Sequence, residues 1–294
     1  MRFPRQTLNL KDIFIGDGVN IQITRRSIAM TDKKKNIMFV VFAYVFFWIL
    51  FLLTGVVFLT IGEGFLFKSM QVICSWAPTM ALFVLFRKLY PDGSIKAFYK
   101  NAFKKRISIS MILFVTIIQL IIFIGAAGIL AFSKGFSLGS LLDLSLQTIL
   151  MGAVNTIISG PTGEESGWRG FLQPSLEKKY SVVRTSLIIG IIWGFWHMPL
   201  WFMTSGYSGI ELIQYICVFL LAIISAAIII GICYNRYRNL FIPMWIHFMF
   251  NFTVAVFVGE VLDILTYLAI LYVFTAIGYI IWHKRSNKIS VSTI

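Results

Sequence analysis

Beyond Asn36 the chain is organised as long apolar runs separated by short polar or basic segments. A helix needs about 20 apolar residues to cross roughly 30 Å of hydrocarbon. Eight runs are of that order: Ile37–Ile61, Ser69–Phe86, Ile107–Phe132, Leu141–Thr162, Val182–Met203, Ile210–Tyr234, Leu240–Val258 and Leu262–Trp282. Gly160, Pro161 and Gly163 interrupt the end of the fourth. The first run begins 36 residues in and is too long for a signal-peptide core, so it reads as an anchor. The pattern predicts an all-α polytopic membrane protein, a bundle of about eight transmembrane helices. Residues 1–36 form an N-terminal segment, 37–282 the membrane domain and 283–294 a tail.

Charge placement adds an orientation. Hydrophobic residues make up 58% of the chain and charged residues 13%, against about 25% charged in a soluble domain. The net charge of +14 in isolation suggests a nucleic-acid binder. That class needs its cations on a solvated face, and this chain has little polar surface, so nucleic acid is excluded as a partner. With the N-terminus in the cytoplasm, 24 of the 26 Lys and Arg fall on the inner side, and only Lys68 and Lys134 fall outside. Such a bias in short loops sets membrane topology. The expectation is a multi-pass protein of the cell membrane with both termini cytoplasmic and the lipid bilayer as its surroundings. Cys74, Cys217 and Cys233 lie in or at the ends of runs, where cysteine behaves as a small hydrophobe, and they indicate neither a disulfide framework nor a zinc pattern. The N-terminal 36 residues mix basic and apolar positions, as either a membrane-surface segment or a solvated tail would.

Ionisable groups inside spans are costly and mark function by default. Two of the three histidines, His197 and His247, lie within runs five and seven, while His283 is juxtamembrane. His247 and Asn251 are four residues apart and share one helical face, with Phe248, Met249 and Phe250 covering the others. A third cluster, Gly160-Pro161-Thr162-Gly163-Glu164-Glu165-Ser166-Gly167-Trp168-Arg169, closes run four. On a helix Glu165 and Arg169 form an i, i+4 ion pair, whereas Glu164, about 100° away, has no cation at matching spacing. The spacing thus divides the two carboxylates: Glu165 with Arg169 supports structure, and Glu164 is free for chemistry as a general base. All three clusters favour the cytoplasmic half of the membrane, and helix breaks or tilt are needed to bring them to one depth.

A carboxylate, two imidazoles and an amide suit water activation and oxyanion stabilisation, the chemistry of carbonyl hydrolysis. Glu164, His197 and His247 would equally suit a divalent metal such as Zn²⁺ with an open position for water. No compact metal motif decides between the two. Glu164-Glu165-x-x-x-Arg169, then His197 with Trp193 four residues before it, then His247-x-x-x-Asn251, resemble the three signature motifs of the CPBP intramembrane proteases. That family is named for CAAX-protein and bacteriocin processing and is also known as Abi. The resemblance covers about residues 150–255. It departs at Trp193, where the family often has Phe. It implies an intramembrane endopeptidase, often labelled a metalloprotease, acting on a peptide or membrane-protein substrate. Glu164 and His197 would activate water, and His247 and Asn251 would steady the oxyanion or help hold a metal. Bacteriocin maturation, self-immunity and peptide signalling are all roles within the family.

Three rival readings carry less. Gly206-Tyr207-Ser208-Gly209 matches a Gly-x-Ser-Gly string of a rhomboid-like serine protease, but Ser208 falls in an outer loop, away from the histidines. A non-catalytic immunity or scaffold protein that binds a toxin in the membrane would also retain the motifs. Gln119, Gln147 and Asn155 could line a transport path, although no matched halves with repeated broken helices support that class.

Overall fold

The structure is a computed structural model and describes residues 14–15, 19–20 and 30–292. The surface-segment or tail expectation for residues 1–36 falls largely outside the described residues. Apart from a two-residue antiparallel pairing of Phe14–Ile15 with Val19–Asn20, the described chain is helical. The N-terminal region leads into α1 (Asp32–Ile61), whose cap is the Thr31 hydroxyl accepting from the Lys34 N–H. Then follow α2 (Phe65–Ser75), α3 (Ala77–Leu89), the short α4 (Ile95–Ala102) and α5 (Ile109–Lys134). After these come α6 (Leu146–Ser159), α7 (Pro161–Glu165), a π-helical turn over Ser166–Leu172, and α8 (Gln173–Glu177). The chain ends with α9 (Val182–Trp196), α10 (Met198–Met203), α11 (Gly209–Tyr237), α12 (Phe241–Ala255) and α13 (Val261–Ser292). Serine or threonine side chains cap α1, α4, α5, α6 and α9, satisfying N–H groups that a helix start leaves without partners.

The protein is an all-α polytopic membrane protein, with a correction to the lengths of its spans. Among the described residues five helical segments are long and apolar enough to cross a membrane: α1, α5, Val182–Met203, α11 and Val261–Ser286. The α2–α3 pair passes the same test only when taken together; it is bent by 55° at Trp76, as a broken span or a re-entrant loop would be, and Pro78 cannot donate to the preceding turn there. Predicted runs four and seven are shorter as helices. α6 has 14 residues and α12 has 15, about 21–23 Å at 1.5 Å per residue, less than the hydrocarbon thickness. Gly160 and Pro161 stop α6 early. The C-terminal helix continues past Trp282 to Ser292, so the region read as a tail begins as a continuation of α13.

The bundle is centred on α11, which packs against α9 and α13. The α9–α11 contact is backbone-close: a Cβ on Gly190 would lie 3.0 Å from Ile224 Cα and 3.0 Å from Ala227 Cβ, and one on Gly194 2.6 Å from Leu220 Cδ2. Small residues allow this approach where no hydrophobic force separates helix from lipid. At one end Glu177 of α8 ties that helix to the end of α11. Its carboxylate accepts from Gln173 Nε2 at 2.7 Å, Asn235 Nδ2 at 3.1 Å and Arg238 Nη2 at 2.6 Å. At the other end Asp143 N donates to Val256 O and Val258 N to Leu141 O, both at 2.9 Å, so the start of α6 and the end of α12 are tied together.

Because Ile224 Cα cannot yield without moving a helix, Gly190→Ala should destabilise the bundle by about 1–3 kcal/mol through overpacking. A Cβ at Gly55 meets nothing within 4 Å, so Gly55→Ala is the matched control. Thermal unfolding in detergent should separate the two, and equal melting temperatures would contradict the close contact.

Candidate active site

Two proline-induced breaks build the site. Pro161 has no N–H and so cannot close the last turn of α6. Carbonyls freed there find side-chain donors: the Thr162 hydroxyl donates to Ile157 O at 2.7 Å, and the Trp76 indole N–H donates to Ile158 O at 2.8 Å. The chain restarts as α7 and passes directly into the π-helical turn, a rare geometry that is frequent at functional sites. Glu164 and Glu165 sit at this junction. On the next segment Pro199 ends α9, which leaves His197 as the residue between α9 and α10 with φ −77° and ψ 0°, in the sparsely populated bridge region.

Glu165 is fully buried, as is Arg169, and Arg169 Nη1 donates to Glu165 Oε1 at 2.9 Å, the i, i+4 pairing expected from the sequence. The structure adds a partner that spacing did not reveal. His247 Nδ1, from α12, lies 2.8 Å from the same Oε1. Glu165 therefore joins the π-helical turn to α12 and fixes the His247 ring, leaving Nε2 as its other nitrogen.

Glu164 is buried too, at 4% exposure, and among the described residues it makes no ion pair of the kind that Glu165 makes. Its Oε2 accepts the Trp193 indole N–H at 2.5 Å. Trp193 is the point where the cluster meets. The Arg169 guanidinium carbon lies 4.7 Å from its ring centroid, within cation–π range. The His247 ring packs against it at 4.9 Å and 73°. Its backbone carbonyl oxygen is 2.8 Å from His197 Nδ1. The sequence marks Trp193 only as a supporting aromatic. Its substitution for the family's usual Phe is the available signal, because only Trp brings an N–H.

His197 comes close to the cluster through Trp193. Its ring is 6.0 Å from the Trp193 ring and otherwise lies among Trp196 and Phe219 at 4.7 and 5.4 Å. Asn251 does face the same way as His247: a Cβ built on Gly160 would meet Asn251 Nδ2 at 2.9 Å and His247 Nε2 at 3.4 Å. The glycine at the α6 break thus leaves room directly against both groups. Tyr99 of α4 reaches the same region from outside, its hydroxyl donating to Ser166 Oγ at 3.1 Å, a contact that no spacing in the sequence signals.

A divalent ion would need several donors converging on one point. Among the described residues no three His, Cys, Asp or Glu side chains are so gathered, and the Glu164 oxygen that the structure pairs accepts from the Trp193 N–H. The set Glu164, His197 and His247 does not fit a metal in this arrangement. The arrangement can instead offer a buried carboxylate with one oxygen held, two imidazoles oriented through Nδ1, and a neighbouring amide.

Comparison with known proteins matches residues 145–253 to the family described as Type II CAAX prenyl endopeptidase Rce1-like. A CAAX prenyl protease 2 from Methanococcus maripaludis is 31% identical over 144 residues, which is 48% of this chain and 50% of that protein. The chain thus spans about half the length of the curated relative it matches. Glu164, Glu165, Arg169, Trp193, His197, His247 and Asn251 all fall inside the stretch matched by the family model, and over these residues the chain is similar to the CAAX proteases.

Proposed function

We propose that the protein is an intramembrane endopeptidase that hydrolyses a peptide bond near the end of a membrane-anchored protein or peptide. The observation that carries this reading is the shared environment of Glu164 and His247: both are buried, both touch Trp193, and the neighbouring Arg169 is paired with Glu165. The relative's name, a prenyl protease, supports a lipid-anchored substrate. Bacteriocin maturation and self-immunity are narrower roles of the same chemistry.

In the proposed reaction a water molecule at Oε1 of Glu164 gives a proton to that carboxylate as its oxygen bonds to the scissile carbonyl carbon, and the tetrahedral intermediate then collapses with cleavage of the C–N bond as the proton passes from Glu164 to the leaving amine. With His197 Nδ1–H donated to the Trp193 carbonyl, the neutral ring keeps an acceptor at Nε2, which suits it to share in that proton transfer. Asn251 Nδ2, beside His247 Nε2 at Gly160, supplies the donor for the oxyanion. Glu165 and Arg169 hold the His247 ring and take no proton.

The test is cleavage of a fluorogenic farnesylated CAAX-type peptide by the full-length chain in liposomes, alongside comparative membrane peptidomics. Glu164→Gln should lower turnover by about 10²-fold or more without loss of insertion. Near-normal turnover in Glu164→Gln would remove the general-base role. Full protection of cells by an inactive Glu164→Gln chain would favour the immunity reading instead.

Trp193→Phe keeps an aromatic ring but deletes the N–H bonded to Glu164. One hydrogen bond to a charged group is worth about 1.5–3 kcal/mol, so kcat should fall by roughly tenfold or more with KM little changed. A change confined to KM would assign Trp193 to substrate binding.

The inner placement of 24 of 26 basic residues supports cytoplasmic termini. On this topology Phe136→Cys should react with an impermeant maleimide in intact cells, and Lys96→Cys only after permeabilisation. The reverse pattern would invert the protein.

A further inference from the structure

A groove opens where the first three turns of α1 meet the α8–α9 connection and Ile192 of α9. Its volume is about 590 Å³. One end is basic, with Lys33 and Lys179 on opposite walls, and the rest is apolar, formed by Ile37, Val41 and Ile192. Ile37 and Val41 are 54% and 49% exposed, surfaces that water would disfavour and an acyl chain would cover.

The charge balance in the groove is positive. Its carboxylate, Asp32, is already engaged by Lys178 at 3.0 Å. Among the described residues neither Lys33 nor Lys179 makes an ion pair. Lys179 and Arg184 both lie over the Tyr180 ring, at 5.4 and 4.8 Å, which gathers cationic side chains at this rim. Asn36 also lines the groove. Its side-chain Oδ1 is buried and has no hydrogen-bond partner among the described residues, and a buried acceptor left without a donor is costly.

We propose that this groove binds an anionic phospholipid carrying a hydroxylated headgroup, of the phosphatidylglycerol type. The phosphate sits between Lys33 and Lys179, a turn of the Asn36 side chain brings its Oδ1 to a headgroup hydroxyl that donates to it, and an acyl chain runs along Ile37, Val41 and Ile192. Phosphatidylcholine has no headgroup donor and no net charge, and phosphatidylethanolamine has a donor but no net charge, so the two isolate the requirements. The site is independent of whether the chain is a protease.

The experiment is native mass spectrometry of the purified full-length chain, incubated with equimolar dioleoyl phosphatidylglycerol, phosphatidylethanolamine and phosphatidylcholine. Phosphatidylglycerol should be retained preferentially. Retention should fall about tenfold or more in the Lys33→Gln/Lys179→Gln double variant. Val41→Trp should lower it comparably by filling the apolar part while every charge remains. Lys104→Gln/Lys105→Gln removes two exposed cations outside the groove and should leave retention unchanged. Equal retention of the three lipids, or equal losses in the two lysine double variants, would overturn the proposal. So would displacement of the lipid by glycerol phosphate alone, since that would assign the site to a soluble phosphate.

Discussion

The structure depends on neutralising charge where water is excluded. Glu164, Glu165 and Arg169 all lie within six residues and are buried, and burying a charge is expensive unless it is paired and hydrogen-bonded. A single guanidinium must serve two carboxylates. It bonds Glu165 directly, and Glu165 in turn bonds His247. It faces the π-cloud of Trp193, whose N–H serves Glu164. The five side chains form one connected circuit from the π-helical turn through α9 to α12, so deleting any member strands another in a low-dielectric site.

Irregular backbone inside a membrane domain is tolerated only where its polar groups are satisfied. Both site-bearing breaks meet that condition in the same way. At the first, the Trp76 indole donates to Ile158 O. At the second, the Trp48 indole donates to Trp196 O at 3.4 Å. Indoles supply a donor together with a large apolar body, which suits them to a carbonyl that lipid would otherwise face. The breaks also explain the two short helices. α6 stops where the chain must turn to deliver Glu164, and α12 is held at one end by the Leu141–Val258 and Asp143–Val256 bonds that keep it beside α6.

Much of this is legible in the amino-acid sequence. Apolar run length marks the helices, and i, i+4 spacing yields both the Glu165–Arg169 pair and the common face of His247 and Asn251. Helical periodicity is a local property, and these features are local. What joins elements distant in sequence is not legible. Glu165 and His247 are 82 residues apart, and Trp193 and Glu164 are 29 apart. Their contacts follow from how α9 and α12 pack, which no period encodes. Run length also overstates α6 and α12, because hydropathy continues through Gly160-Pro161 although hydrogen bonding does not.

The position of α9 therefore decides the geometry of the site, and both of its flanks constrain it. Toward α11 the constraint is steric, since Gly190 and Gly194 let the backbones touch and leave no slack for sliding. Toward α1 it is polar: the Tyr44 hydroxyl donates to Ile192 O at 2.5 Å, and Trp196 Nε1 donates to Ala43 O at 3.1 Å. Trp193 and His197 lie between these anchors. Interlocked packing resists small displacements and favours discrete arrangements. Glu164 is held at its bond to the indole by helices that meet far from it in sequence. A carboxylate acting as a base without solvent to reorganise around it would need that kind of support, and here it would come from the glycines and tryptophans that fix α9.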